Sequence, residues 1–143
     1  MNVLILQGPN LNLLGTISAD SGNQLTLDKL NKAIRKHIHG KEIKLKFFQT
    51  HKQFQCINFL QRNRNWADGL LMIPTSWAKY DWTVADTLNV IKIPTSMVYF
   101  EKPFFLGCKE TESILTGKYI NSFSGQPIAA CINGIDHLLS QKR

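Results

Sequence analysis

Lys79, Tyr80, Tyr99, Glu101 and Lys102 are the residues of this 143-residue sequence whose types and positions offer chemistry. A lysine whose pKa is lowered acts as a base or forms a Schiff base. A tyrosine beside a cation is held towards its ionised form, so Tyr99 near Lys79 or Lys102 is a candidate base. The plainer reading has Tyr99 packed at a strand end and the lysines solvated. Other titratable groups carry less. His37 and His39 lie two apart on a helical pattern, so they face different directions and make poor joint ligands. His51 follows a strand and either faces a pocket or is solvated with Lys52. His137 is expected to be exposed on the last helix. Trp77 and Trp82 flank Lys79 and can stack on a ligand, a partner or each other, or serve the core or a subunit contact. Cys56, Cys108 and Cys131 are an odd number at wide spacing with no CxxC. No Cys/His group has metal-ligand spacing, so no metal is expected. A reducing cytoplasm is the natural setting.

The elements that must position these groups follow from apolar spacing. Asn2–Leu6 is a short apolar run ending at Gly8-Pro9-Asn10, a buried strand and a loop. Leu25–His39 has helical spacing, with Thr26 as a cap and Gly40 as a stop. Glu42–Gln49 is rich in β-branched and aromatic residues and predicts a strand. Gln53–Arg62 predicts a helix, Gly69–Pro74 a strand, Asp81–Asn89 a helix with Trp82, Ala85 and Leu88 on one face, and Pro94–Phe100 a strand. Pro127–Ile132 predicts a fifth strand, with Cys131 as a buried small hydrophobe, and a helix follows from about Gly134 to Gln141. Alternation at this spacing predicts a five-stranded parallel sheet with helices on both faces, a flavodoxin-like three-layer α/β/α sandwich in one domain, residues 1–143. Its ligand site lies at the carboxyl ends of the strands. The least regular stretch, Lys102–Ser124, is placed to run over that face.

Composition narrows the functional classes. Hydrophobic residues make up 43% and charged residues 19%, enough for a packed core. Short apolar runs, such as Val3–Leu6 and Leu70–Pro74, fall far short of the roughly 18 that span a bilayer, so no membrane role is expected. The N-terminal segment has no basic stretch or small-residue cleavage site and reads as mature sequence. Seventeen lysines and arginines against ten acids give a net charge of +7. That balance invites an anionic partner. The basic residues are spread from Lys29 to Arg64 with no dense stripe, so a solvated surface is the expectation. Nucleic acid is disfavoured for want of a motif or aromatic–basic interleaving.

Gly8-Pro9-Asn10-Leu11-Asn12-Leu13-Leu14-Gly15, directly after the first strand, resembles the signature of the type II 3-dehydroquinate dehydratases. Leu25-Thr26-Leu27, Phe47-Phe48-Gln49-Thr50, Ala67-Asp68-Gly69, Val84–Leu88 and Ile93-Pro94 resemble that family in order and spacing. So does the stretch from Gly125 to Gly134. The resemblance covers nearly the whole chain, apart from a few extra residues between Glu101 and Gly125. It implies dehydration of 3-dehydroquinate through an enolate, without metal or cofactor. A tyrosinate activated by an arginine removes the proton. An asparagine and a water stabilise the enolate. A histidine held by a glutamate protonates the leaving hydroxyl, and a carboxylate from a neighbouring subunit helps to hold the substrate. The resemblance also implies a homo-oligomer, a trimer or a dodecamer built of trimers.

The residues at the family's working positions differ. Where the family reads Gly-x-Arg-Glu-Pro-x-x-Tyr-Gly, this sequence reads Gly15-Thr16-Ile17-Ser18-Ala19-Asp20-Ser21-Gly22-Asn23. Ile17 stands for the arginine and Gly22 for the tyrosine. Ile73 aligns with the enolate-stabilising asparagine, Thr75 with a glycine and Lys79 with a substrate-holding histidine. Met97 aligns with the glutamate, Tyr99 with the acid histidine, and Phe100-Glu101 with the pair that binds the substrate carboxylate. Lys109 is the nearest basic residue to a further arginine. Asn10, Gln49 and Asp86 are retained. The expected ligand-binding set is therefore Asn10, Ile73, Thr75, Lys79, Asp86, Phe100 and Glu101, with Tyr99 and Lys79 as replacement catalytic candidates. The leading expectation is a divergent member without normal dehydratase activity, either binding an anionic small molecule or repurposed as an enzyme on one. A dehydratase on altered residues is the alternative. The loop Thr16–Gln24, with Ser18, Ser21, Gly22 and Asn23, has the composition of a mobile segment.

Overall fold

The computed structural model describes residues 1–141. Strands β1 (Asn2–Gln7), β2 (Lys44–Gln49), β3 (Gly69–Ile73), β4 (Thr95–Phe100) and β5 (Ile120–Gly125) form one sheet. Its order is β2-β1-β3-β4-β5 and every pairing is parallel. This is the flavodoxin-like order, with the chain reversing direction of travel at β1/β3. The helices are α1 (Leu14–Ile17), α2 (Leu27–Ile38), α3 (Gln53–Asn63), α4 (Trp77–Tyr80), α5 (Trp82–Ile91) and α6 (Pro127–Ser140).

β3 and β4 are buried along their whole length, and β1 is buried from Val3 onward. Such strands must be covered on both faces. On one face Leu4, Leu6 and Met72 pack with Cys56 and Leu60 of α3 and Val84 and Leu88 of α5. On the other, Val3, Ile5, Leu71 and Val98 pack with Leu30 and Ile34 of α2 and with Ala130, Cys131, Ile135 and Leu138 of α6. The helix starts are chemically marked. Thr26 accepts the Lys29 N–H at 3.2 Å, and Asp81 accepts the Val84 N–H at 3.0 Å, each satisfying a first-turn donor.

Three expectations are corrected. The fifth strand is Ile120–Gly125, and Pro127–Ile132 opens a single 14-residue helix running to Ser140. Pro127 suits a first helical position, where no N–H is needed. The buried residues Pro127, Ala130, Cys131, Gly134, Ile135 and Leu138 recur at helical, not strand, period. β5 sits at the sheet edge, where burial is slight: Ile120 and Phe123 are half-buried in opposite layers, and the exposed Asn121, Ser122 and Ser124 concealed the strand in the sequence. Cys131 is fully buried, in a helix. The second correction is Trp82, which points outward at 66% exposure while Val84, Ala85, Thr87 and Leu88 face the core. The third is His137, which is half-buried. His37 meets Asp136 at 2.7 Å and so ties α2 to α6.

The loop Thr16–Gln24 is pinned despite its composition. Ser18 is fully buried; its Oγ donates to the Leu14 carbonyl at 2.8 Å and accepts the Leu25 N–H at 3.0 Å. Gln24 Nε2 donates to the Gly15 carbonyl at 3.0 Å, and Ser21 Oγ donates to the Ser18 carbonyl at 2.7 Å. Ser18→Ala strands the Leu25 N–H, at a cost of about 1–3 kcal/mol. The urea midpoint should fall, and protease cleavage between residues 19 and 24 should accelerate; unchanged values of both would contradict a pinned loop.

Candidate functional site

At the carboxyl ends of β1 and β3 two backbones nearly touch. The Gly8 N–H donates to the Ile73 carbonyl at 2.8 Å. A Cβ at Gly8 would lie 2.5 Å from the Pro74 carbonyl oxygen, so only glycine permits this approach. Around the seam, Thr75 Oγ1 donates to the Pro9 carbonyl at 2.9 Å, Gln49 Nε2 donates to the Gly8 carbonyl at 3.1 Å, and the Asn10 N–H donates to His51 Nδ1 at 3.0 Å. Asn10 has φ +67° and Thr75 φ +50°. Asn enters the left-handed region readily; a β-branched threonine does so rarely. Thr75 therefore holds the conformation natural to the glycine that the resemblance expects there, and its hydroxyl helps to fix it.

The chain after β4 then folds back over the seam. Gly107, at φ +79°, lies so close that a Cβ would be 2.4 Å from the Ser76 nitrogen. Ile73, Thr75, Val98, Tyr99, Phe100, Leu106 and Cys108 enclose a cavity of about 10 Å³. That volume admits one water at most. The larger space lies to the side, between the ends of β4 and β5 and the segment 101–111. It measures about 690 Å³ and is lined by Tyr99, Phe100, Glu101, Lys102, Phe105, Lys109, Glu110, Thr111 and Ser124. Ser124 Oγ donates to Glu110 at 2.9 Å across its wall.

The sequence-derived set is thus divided. Tyr99, Phe100 and Glu101 line the larger cavity with Lys102 and Lys109; Ile73 and Thr75 fill the small one with Tyr99 and Phe100. Asn10 is exposed on the loop after β1, and Asp86 is exposed on α5. Ile17 is exposed at the end of α1, and Gly22 stands in an open turn at φ +80°, with nothing within 4 Å of where a Cβ would stand. Lys79 is exposed on α4, 3.6 Å from Glu112, a pair screened by solvent and worth little. It does not border the larger cavity. Phe105 lies in the segment Tyr99–Phe105 after β4, which the strand ends already place at the ligand face, whereas Glu110, Thr111 and Ser124 had no pointer beyond the irregularity of Lys102–Ser124.

Tyr99 is 4% exposed, and its hydroxyl donates to Ser113 Oγ at 2.6 Å. Burial pushes its pKa from 10.0 up to about 12; the Ser113 bond pulls the other way, and negative charge at Cys108 and Glu110 adds to the rise. The cation that would have activated Tyr99 is not among the charges acting on it. At neutral pH it is a protonated phenol, a donor and not a base. Cys56 is pushed from 9.0 to about 12, first by burial and then by the charge on Asp81. Burial also raises the Cys108 and Cys131 thiols. Among the described residues no group of three His, Cys, Asp or Glu side chains gathers as a metal site, and no helix is long and apolar enough to cross a membrane.

Comparison with known proteins gives one consistent match. The family model described as Dehydroquinase class II matches residues 1–124. A 3-dehydroquinate dehydratase of Prochlorococcus marinus is 30% identical, over 98% of this chain and 98% of that protein. The crystal structure of type II dehydroquinase from Propionibacterium acnes superposes with a TM-score of 0.80 at 17% identity, covering 98% of this chain and 97% of that one. The type II dehydroquinase from Butyrivibrio crossotus gives 0.77 at 22%, covering 97% of each chain. At those identities the structures speak for the fold alone.

The raised acids set a pH dependence. Tyr99 and Cys56 keep their protons in the fold at pH values where the unfolded chain has lost them. Their contribution is complete below pH 9.0 for Cys56 and below 10.0 for Tyr99, and is lost as pH rises towards about 12. The urea midpoint should therefore fall from pH 9 upward, and Tyr99→Phe should flatten the part of that fall above pH 10. An identical slope in the variant would show that Tyr99 ionises as freely in the fold as out of it.

Proposed function

This chain belongs to the class II dehydroquinase family, and we propose that it has given up the standard dehydration and holds a small anionic molecule beside β4 and β5. The observation that carries this reading is the filled cleft at β1, β3 and β4, where a space of about 10 Å³ is far below the roughly 300–1,000 Å³ of small-molecule sites. The residue types support it. Ile17 cannot hydrogen-bond and Gly22 has no side chain, so the expected base and its activator are both missing. Loss of a positioned base costs roughly 100- to 10,000-fold. Ile73 is an apolar, buried side chain where a donor to the enolate is expected. Loss of such a donor costs roughly 100- to 1,000-fold. These losses need not multiply, because the groups act as a unit.

The 690 Å³ cavity has the size of a ligand site. Lys102 and Lys109 can take a carboxylate, Glu101 and Glu110 can accept from hydroxyls, and Tyr99, Phe100 and Phe105 offer ring faces. A small hydroxylated ring carboxylate fits that chemistry. A second reading, a working 3-dehydroquinate dehydratase on altered residues, is favoured by the near-full-length match to the Prochlorococcus protein of that name. Assembly into a trimer-based homo-oligomer belongs to the same proposal. The exposed Tyr80 and Trp82, with Asp86 one turn further along α5, supply its surface.

Purified protein mixed with 3-dehydroquinate should give no rise in ultraviolet absorption from a conjugated enone product. Clear turnover lost in Tyr99→Phe or Lys79→Ala would establish the second reading instead. In a thermal-shift series of hydroxylated ring carboxylates, beginning with quinate, a stabilising member should lose its effect in Lys102→Ala; a shift that survives that change excludes the β4–β5 cavity. Light scattering should report a multiple of three chains, and a stable monomer would remove the assembly.

A further inference from the structure

The positive charge of this protein is concentrated at one edge of the fold. Residues 29–64 hold ten of the seventeen lysines and arginines and one of the ten acids, a net +9; the remaining 107 residues are net −2. That segment builds α2, β2 and α3. β2 is an edge strand, α2 packs on one face of the sheet, and α3 packs on the other. The cations that look scattered along the chain therefore wrap a single edge. All ten are exposed. Among the described residues only Lys32 has a carboxylate within ion-pair distance, Asp28 at 3.0 Å on the same helix. Lysines on an edge strand do protect it from pairing with another chain. That role needs Lys44 and Lys46; it does not account for Arg35 and Lys36 on α2 or Arg62 and Arg64 at the end of α3. Unneutralised like charges repel one another and oppose compaction, a cost that an anionic partner removes.

The fold also creates the aromatic–basic interleaving that the linear sequence lacks. The Arg35 guanidinium lies 4.4 Å from the Phe47 ring centre, Lys46 Nζ 4.3 Å from that of Trp66, and Lys52 Nζ 5.8 Å from that of Phe54. Phe54 is 58% exposed. Phe47 packs with the α2 and α6 layer and Trp66 with the α3 and α5 layer, so the pairs lie on both sides of the edge. We propose that this edge binds single-stranded nucleic acid. Its phosphates would run along the track from Arg35 over Lys44 and Lys46 to Arg62 and Arg64, with unpaired bases stacking at the Phe54 ring and on the outer plane of the Arg35 guanidinium. Charge alone would serve any polyanion. Cations paired with aromatic faces serve unstacked bases, which duplex DNA does not present. The inference is independent of the β4–β5 cavity and of whether the chain dehydrates anything.

The test is fluorescence polarisation of the full chain with a labelled oligouridylate, a duplex of equal length and vesicles containing phosphatidylserine, across a salt series. The oligouridylate should bind most tightly. Its affinity should fall linearly on log–log axes, with a slope of about −0.7 for each phosphate neutralised. Lys44→Glu/Lys46→Glu should weaken binding roughly tenfold or more and make the slope shallower by about one to two. Lys92→Glu/Lys118→Glu, the same charge change away from this edge, should leave it nearly unaltered. Phe54→Ala should weaken the oligouridylate without changing its slope. No polarisation change at the lowest salt overturns the proposal, and so does equal weakening by both charge-reversal pairs. Tighter binding of the duplex or of the vesicles overturns the single-strand assignment. Circular dichroism of each variant confirms that the substitutions, all on exposed residues, leave the fold intact.

Discussion

β3 and β4 throughout, and β1 from Val3 onward, are buried on both faces, and the rest of the molecule follows from that constraint. A strand buried on both sides commits its side chains to packing, so only those at its end, such as Tyr99 and Phe100, border a ligand space. Leu4, Ile5, Leu71, Met72 and Val98 serve only to join the sheet to two helical layers. Polar function is left to the places where the sheet stops: the carboxyl ends of the strands, and the edges. The β4–β5 cavity is a space of the first kind, and the basic margin at β2 is of the second.

At the carboxyl ends, backbone geometry decides how much room exists. Gly8 lets β1 and the turn after β3 close to contact, and Gly107 lets the following loop settle on the same turn. Once these backbones have met, Ile73, Thr75, Leu106 and Cys108 close on the ends of the β4 side chains and leave almost no space between them. The usable volume is displaced towards β5, where the edge strand is polar and the segment 101–111 forms the other wall. Tyr99 is the hinge between the two spaces, lining both. Burial raises its pKa and its hydroxyl is spent on Ser113, so what it offers the site is a ring face.

At the opposite side of the sheet the logic is electrostatic. β2 is half-covered, with Leu45 and Phe47 half-buried and Lys44 and Lys46 exposed. The long aliphatic stems of such residues can lie along apolar surface while their charges remain in water. Arg35 above Phe47 and Lys46 above Trp66 go further, laying the charged group itself over a ring face. The same residues thus shield the sheet edge and build its positive field.

The central strands and most helices were legible in the sequence, because burial on both faces demands apolar runs and burial on one side of a helix demands a period near 3.6. Gly8-Pro9-Asn10 was legible as a loop for the same local reason, and the occupants of the family's working positions could be read directly. The edge strand β5 and the start of α6 were not. Edge burial is too slight to mark a strand made of Ile120, Phe123 and polar neighbours, while Pro127-Ile128-Ala129-Ala130-Cys131-Ile132 is apolar enough to imitate one. Nor could the sequence place Glu110 or Thr111 in a cavity, separate Lys79 from the space that Tyr99 lines, or lay Lys46 over Trp66. Those are distances between residues far apart along the chain. Local propensity and periodicity act over a few residues, whereas cavity volume, side-chain pairing and the gathering of charge on one edge arise only when the layers close on the sheet.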